Sequence, residues 1–254
     1  MKNINKIEDA CAMKPETENL RKVKDAAIAL LETPVKTTKL PLGEGGLTEI
    51  ELVVHPFFTG RFVCWNPDNA EHPHLDILGS DDDMQEALRR YKGFIEKSES
   101  IDSILLLMAK SYRLPFFKLI QKALSPDEMG RMLADIWVGS ENPNDSMVPL
   151  STLIKWFKQA SRESLMDAEE LAYYDSLPDE FTVYRGIGSK SNKKGISYTL
   201  SLEKAEWFAK RFQQKKGYVL AGTAKKKDVL AYFNSRKEQE VLIEPKNISG
   251  LHKM

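Results

Sequence analysis

The sequence predicts an α+β protein in which helices and strands are grouped along the chain. From about residue 100 to 177, apolar side chains recur almost throughout at three-to-four-residue spacing, the period of a helix face. After Pro178 the texture changes to short runs rich in β-branched and aromatic residues, which is the signature of strands. The first ~95 residues mix both patterns and predict a separate, smaller α/β lobe. We therefore expect an accessory lobe over 1–97 and a second domain over 98–254.

Taken in order, residues 16–32 (ETENLRKVKDAAIALLE) have apolar positions at helical spacing with charges between them. Residues 47–66 (LTEIELVVHPFFTGRFVCWN) read as two strands broken by Pro56 and Gly60. Ser80 followed by Asp81, Asp82 and Asp83 makes an acidic, capped start for a helix through MQEALRRYKGFIEK. Helices are expected in IDSILLLMAKSYR, FFKLIQKAL, SPDEMGRMLADIWV, PLSTLIKWFKQAS and SLMDAEELAYYDSL, with ENPNDSMVP a loop by composition. The strand candidates are FTVYRGIG, GISYTLS, GYVLAGTA, VLAYF and QEVLIEP, interrupted by one helix, LEKAEWFAKRF. No internal repeat and no low-complexity segment is present.

The chain has 254 residues, 42% of them hydrophobic and 29% charged, which excludes a disordered chain and leaves enough material for a real core. No window approaches eighteen consecutive apolar residues, and MKNINKIEDA does not read as a signal peptide. Cys11 and Cys64 cannot form a disulfide framework, so the expected compartment is the reducing cytoplasm, with no membrane partner. The formal charge is zero, yet residues 181–254 hold 16 Lys+Arg against 6 Asp+Glu. That third carries +10 and the remainder −10. A basic segment of this size suits an anionic ligand, either a phosphate-rich cofactor or nucleic acid, although two electrostatically matched lobes would give the same count.

Three strand-borne segments of the basic third could carry chemistry. Arg185, in Val183-Tyr184-Arg185-Gly186, lies within an apolar strand and needs an anionic partner, because a guanidinium cannot shed its charge. A structural carboxylate would serve it as well as a ligand would. Gly186 beside it allows close approach to the backbone. In Gly195-Ile196-Ser197-Tyr198-Thr199, alternation puts the Ser197 and Thr199 hydroxyls on one face, although both are ordinary strand residues. Glu238 and Glu240, two residues apart at a strand entrance, project to the same face. Their mutual repulsion would raise one pKa, unless they are only a solvated, charged strand edge.

In this order and spacing, Tyr184-Arg185-Gly186, Ser197-Tyr198-Thr199 and Glu238-Gln239-Glu240 resemble the arginine–serine–glutamate class of mono-ADP-ribosyltransferases, in particular its prophage-type and toxin-type members. That family's pattern is an aromatic-Arg-Gly strand, a Ser-Thr-Ser strand and a later Glu-x-Glu. The helix with Ala205, Trp207 and Phe208 also matches the family's sequence after the serine motif, and the likeness covers about residues 100–254. The middle motif departs from the pattern, since Tyr198 and Thr199 replace Thr-Ser. Thr199 keeps a hydroxyl on the Ser197 face.

The resemblance implies an ADP-ribosyltransferase fold, with a helical front half and two packed antiparallel sheets forming an NAD cleft. It implies a glycosyltransferase-type enzyme that cleaves the nicotinamide–ribose bond of NAD and uses no metal. Glu240 would stabilise the oxocarbenium-like ribose, as a glycosidase carboxylate does. Ser197 would hold the Glu240 rotamer. Arg185 would pair with the NAD phosphates, with Arg211 as a further phosphate ligand, Gly186 would hold the nicotinamide amide through its backbone, and Thr199 completes the cofactor-binding set. Glu238 goes with arginine of a target protein as acceptor, whereas glutamine at that position goes with asparagine. Some toxin-type relatives modify nucleic-acid bases, which makes RNA or DNA the second acceptor class. A possible neutralising (antitoxin) partner follows from the same likeness, and a catalytically silent binding module is the third reading.

Other constellations point elsewhere. Trp207, Phe208 and Phe212 at helical spacing read as core packing rather than cofactor stacking. Lys193, Lys194, Lys225, Lys226 and Lys227 read as solvated loop charges. Cys64, His72, His74 and Asp76 match no closed zinc site. No P-loop, dinucleotide glycine fingerprint or nucleophile elbow occurs.

Overall fold

The computed structural model describes residues 18–41, 49–140, 148–188, 194–211 and 217–254. Cys11, Lys193 and Phe212, and most of the ENPNDSMVP loop, lie outside these residues. The chain divides into two compact units, Met1–Ala109 and Lys110–Met254.

The first unit contains helix α1 (Glu18–Leu31), the hairpin-like pair β1 (Lys36–Pro41) and β2 (Glu49–Val54), and a second pair, β3 (Phe62–Trp65) and β4 (His74–Asp76). Both pairs are antiparallel. The break expected at Pro56 and Gly60 separates β2 from β3. Strands β1 and β4 were not anticipated, because KTTKLP has little apolar alternation and HLD is only three residues long. Helix α2 (Asp81–Lys97) starts as expected, with the Ser80 side chain accepting the Asp83 N–H.

Helix α3 (Ile101–Leu107) belongs to this first unit, so the division falls after Ala109 rather than after residue 97. It buries Ile101, Ile104 and Leu105, and it packs on α1 and α2. The Ala109 N–H bonds the Pro56 carbonyl at 2.8 Å, which ties the chain to the β2–β3 connection. Periodicity alone merged this helix with the next one, since the apolar spacing runs on through the break.

In the second unit, α4 (Lys110–Ile120) continues through Pro115, forfeiting one backbone bond. Its buried Leu114, Phe116, Phe117 and Ile120 provide the compensating burial. Helix α5 (Pro126–Gly139) opens with a reciprocal capping box between Ser125 and Glu128. Helices α6 (Leu150–Gln159), α7 (Arg162–Leu165) and α8 (Ala168–Ser176) follow. The expected single helix over 164–177 is interrupted because Asp167 acts as an N-cap and starts α8 with its own capping box to Glu170.

Strands β5 (Glu180–Ile187), β6 (Ser197–Thr199), β7 (Tyr218–Lys225), β8 (Val229–Phe233), β9 (Glu240–Ile243) and β10 (Ser249–Lys253) form a sheet in the order β10-β7-β5-β6-β9-β8. All its pairings are antiparallel. The two sheets that were expected are linked here into one hydrogen-bonded order. Two three-stranded halves are joined edge to edge, and the joint is a single residue pair, Tyr184 with Thr199. Strand β10 was missed because SGLHK is exposed along its length and joins β7 through backbone bonds.

Helix α9 (Leu202–Lys210), capped by Ser201, lies on β5. Its Ala205 and Ala209 pack with Val219 against Tyr184 and Leu202. The approach is so close that a Cβ on Gly186 would stand 2.1 Å from the Ala205 carbonyl oxygen. The space created by Gly186 is therefore filled by a helix. Gly186→Ala should destabilise the protein by about 2–3 kcal/mol or more in chemical denaturation. Gly139→Ala, where an added Cβ meets nothing within 4 Å, should change stability by no more than about 0.5 kcal/mol.

Candidate active site

In the second unit the carboxylate of Glu240 is buried where its helices meet its sheet. Glu240, the first residue of β9, is 5% exposed. One of its oxygens, Oε1, accepts hydrogen bonds from Ser197 Oγ at 2.5 Å and from Trp137 Nε1 at 3.1 Å. The other, Oε2, faces Arg236 Nη2 at 3.6 Å. The sheet register explains the serine contact, because Glu240 pairs with Thr199 and Leu242 pairs with Ser197. That places Ser197 diagonally across from Glu240 on one face. The tryptophan comes from α5, where it is 1% exposed and packs edge-on against Phe157 of α6, with ring centroids 5.4 Å apart.

Burial pushes the Glu240 carboxyl above its ordinary range. The hydrogen bonds from Ser197 and Trp137 and the charge of Arg236 oppose that shift, and Glu238 adds to it least of all. The expectation that two neighbouring glutamates would set the titration by repulsion is thus corrected. Desolvation dominates, and Arg236 stands against both acids. Its Nη2 lies 2.9 Å from Glu238 Oε2, and its Nη1 donates to the carbonyls of Val138 and Ser140 at the end of α5.

Convergence of Glu238 and Glu240 comes from the turn before β9 rather than from strand alternation. Lys237 and Gln239 both adopt left-handed backbone, with φ of 56° and 47°, a conformation that costs about 1–2 kcal/mol for such residues. Several hydrogen bonds hold it. Asn234 accepts from the Lys237 N–H through its carbonyl, at 2.7 Å, and from the Gln239 N–H through Oδ1, at 3.1 Å. Glu170, buried in α8, accepts the Asn234 N–H at 2.6 Å. Thr199 Oγ1 donates to the Glu238 carbonyl at 2.7 Å and accepts the Ser201 N–H at 3.0 Å. The Leu200 N–H bonds the Gln239 carbonyl at 3.1 Å.

The expected site residues therefore separate into two sets. Ser197, Glu238 and Glu240 come together, with Thr199 supporting the turn that carries the acids. Arg185, 9% exposed, is attached one step away: its Nη1 donates to the Ser197 carbonyl, and its Cζ sits 5.7 Å from the centre of the Tyr198 ring. Ser197 thus connects Arg185, through its carbonyl, with Glu240, through its hydroxyl. Arg211, at the end of α9, has its guanidinium 5.4 Å from the Trp207 ring centre. Trp207 is 54% exposed, which corrects its assignment to the core: Ala205 and Ala209 hold the packed face of that helix.

Among the clustered lysines, Lys225 pairs with Glu180 at 3.4 Å and Lys226 donates to the Asp175 carbonyl at 2.6 Å. Lys227 helps to line a cavity of about 280 Å³ between α6, α7 and β8 that reaches none of the site residues. Sequence reasoning missed Trp137, Glu170, Asn234 and Arg236. The one local signal that touches any of them is the pattern Asp167-x-x-Glu170, which was not read and would have suggested a helix cap rather than a support for the turn.

The cluster offers a carboxylate kept dry and held in one rotamer, with a second, more exposed carboxylate bound to a guanidinium beside it. Such an arrangement can stabilise a developing cation and accept a proton from a basic nucleophile. Comparison of the chain with known family models, curated proteins and solved structures finds no match.

The raised pKa has a stability consequence whose sign is fixed. The neutral carboxyl favours the folded state below the ordinary value of 4.5, and that contribution is lost as pH rises through the raised folded value. Glu240→Gln, which cannot ionise, should escape the loss. Its melting temperature relative to the parent should climb as pH is taken from about 4 towards neutrality. A difference that is flat with pH would contradict the assignment.

Proposed function

We propose that the second unit is an NAD-dependent mono-ADP-ribosyltransferase domain, with the ADP-ribosyltransferase fold, that transfers ADP-ribose to an arginine of a target protein. The observation that carries this reading is the hydrogen bond from Ser197 to the buried Glu240, with Glu238 two residues before it on a built turn. The serine and Glu-x-Glu motifs, distant in sequence, meet in the relation that the resemblance implies.

In this reading the ribose of NAD lies against Glu240 Oε2, since Oε1 already holds two hydrogen bonds. As the nicotinamide–ribose bond lengthens, the carboxylate stabilises positive charge on the ribose, and its dry setting strengthens the effect. Ser197 and Trp137 fix the rotamer. Arg185 supplies a fork for phosphate, and fixing Ser197 through the carbonyl lets it set the position of Glu240 as well. Glu238, with 21% of its side chain exposed, is the acid within reach of an acceptor from solvent and takes the proton of its guanidinium.

A second reading keeps the chemistry and changes the acceptor to an exocyclic amine of a nucleic-acid base. It is supported by the +10 charge of residues 181–254, more than one dinucleotide requires.

Labelled NAD, offered with separate pools of protein and of RNA or DNA, decides between them. Label in protein supports the first acceptor and label in nucleic acid the second. Glu240→Gln should reduce both nicotinamide release and transfer by about 100-fold or more. Glu238→Gln should suppress transfer more than NAD hydrolysis. If the unaltered protein releases no nicotinamide and labels neither pool, the enzyme reading is wrong.

A further inference from the structure

Arg236 belongs to none of the three motifs, yet it occupies the chemically critical position in the cluster. Its Nη2 is 2.9 Å from Glu238 Oε2 and 3.6 Å from Glu240 Oε2. A guanidinium nitrogen is thus seated between the carboxylate proposed to deprotonate an arginine acceptor and the carboxylate proposed to face the ribose. Its own Nη1 is fixed by the Val138 and Ser140 carbonyls, so the fork is oriented with Nη2 towards the acids.

Exposure increases outwards through the cluster. The side chains are 7% exposed at Glu240, 21% at Glu238 and 36% at Arg236.

We infer that Arg236 is an internal acceptor, the site at which the protein ADP-ribosylates itself. The inference rests on the reading of this unit as an ADP-ribosyltransferase. Arg236 Nη2 forms a bond to the anomeric carbon of the ribose as the carbon–nitrogen bond to nicotinamide breaks. The electron pair of the broken bond leaves with nicotinamide. The proton lost from Nη2 passes to Glu238 and then to solvent, so NAD and Arg236 yield ADP-ribosyl-Arg236, nicotinamide and one proton. No other reactant is needed. Because nucleophile and base are held on one turn, the step is unimolecular in protein and has the advantage of a pre-positioned pair.

The bulky product displaces the guanidinium from Glu238 and from the end of α5. Self-modification therefore removes the ion pair that now occupies the acceptor carboxylate.

The test uses the full chain, NAD and agmatine as a small guanidine acceptor, read by intact mass and peptide mass spectrometry. The expected result is one added ADP-ribose, mapped to Arg236, at a fractional rate that does not change when the protein is diluted. Glu238→Gln should lose that label. Arg236→Lys, which lacks the guanidinium, should carry no label at position 236. Modified agmatine or released nicotinamide with an unlabelled Arg236 in the parent protein overturns this inference alone. Absence of nicotinamide release under all conditions overturns the enzyme reading and this inference together. The decisive measurement is made on the unaltered protein, so it stands even if a variant fails to fold.

Discussion

A carboxylate withdrawn from water needs hydrogen-bond donors close by, and much of the second unit is arranged around meeting that need for Glu240. Leaving such a group unsatisfied would cost several kcal/mol, a large part of a domain's net stability. Its hydrogen-bond donors are Ser197 on β6 and Trp137 on α5, and the Arg236 guanidinium, 3.6 Å away on the turn before β9, adds a countercharge. Each contact ties a different element to the sheet. The helical half is held to the strands by an indole N–H as well as by apolar packing, and the short β6 is held by a serine hydroxyl as well as by its ladder.

The turn from Asn234 to Gln239 is the second structural commitment. Left-handed backbone at Lys237 and Gln239 is unfavourable in isolation and persists because Glu170, Asn234, Thr199 and Leu200 bond to it from both sides. What this arrangement secures is the direction of two acids. Glu238 and Glu240 both meet Arg236 Nη2, at 2.9 and 3.6 Å. The same turn carries Arg236 over the acids, where it neutralises them and closes the end of α5.

The six-stranded sheet has its weakest seam at the single pair between Tyr184 and Thr199. Arg185 lies one residue from that seam, and Ser197 two residues from it. The guanidinium of Arg185 crosses to the Ser197 carbonyl, so the seam is bridged by a side chain where ladder bonds are few. Gly186 allows α9 to lie directly on β5, and this helix covers the half-sheet formed by β5 and β7 near the seam. Motif residues thus serve the architecture as well as any chemistry they perform.

Much of this protein was legible from order and period alone. The acidic start at Ser80, the helix opening at Ser125, the strand runs after Pro178 and the residues Ser197, Glu238 and Glu240 all depend on local pattern, and local pattern is written in consecutive residues. What local pattern could not determine depends on contacts across long separations. Trp137 reads as one more core residue on an amphipathic helix until β9 places Glu240 beneath its N–H, 103 positions away. Arg236 reads as one cation among many in a basic segment until a left-handed turn sets it between two acids. The burial that raises the pKa of Glu240 is likewise a property of everything packed around it. Side-chain identity and spacing decided which groups were on hand for chemistry, while the tertiary fold decided which of them meet and which are kept from water.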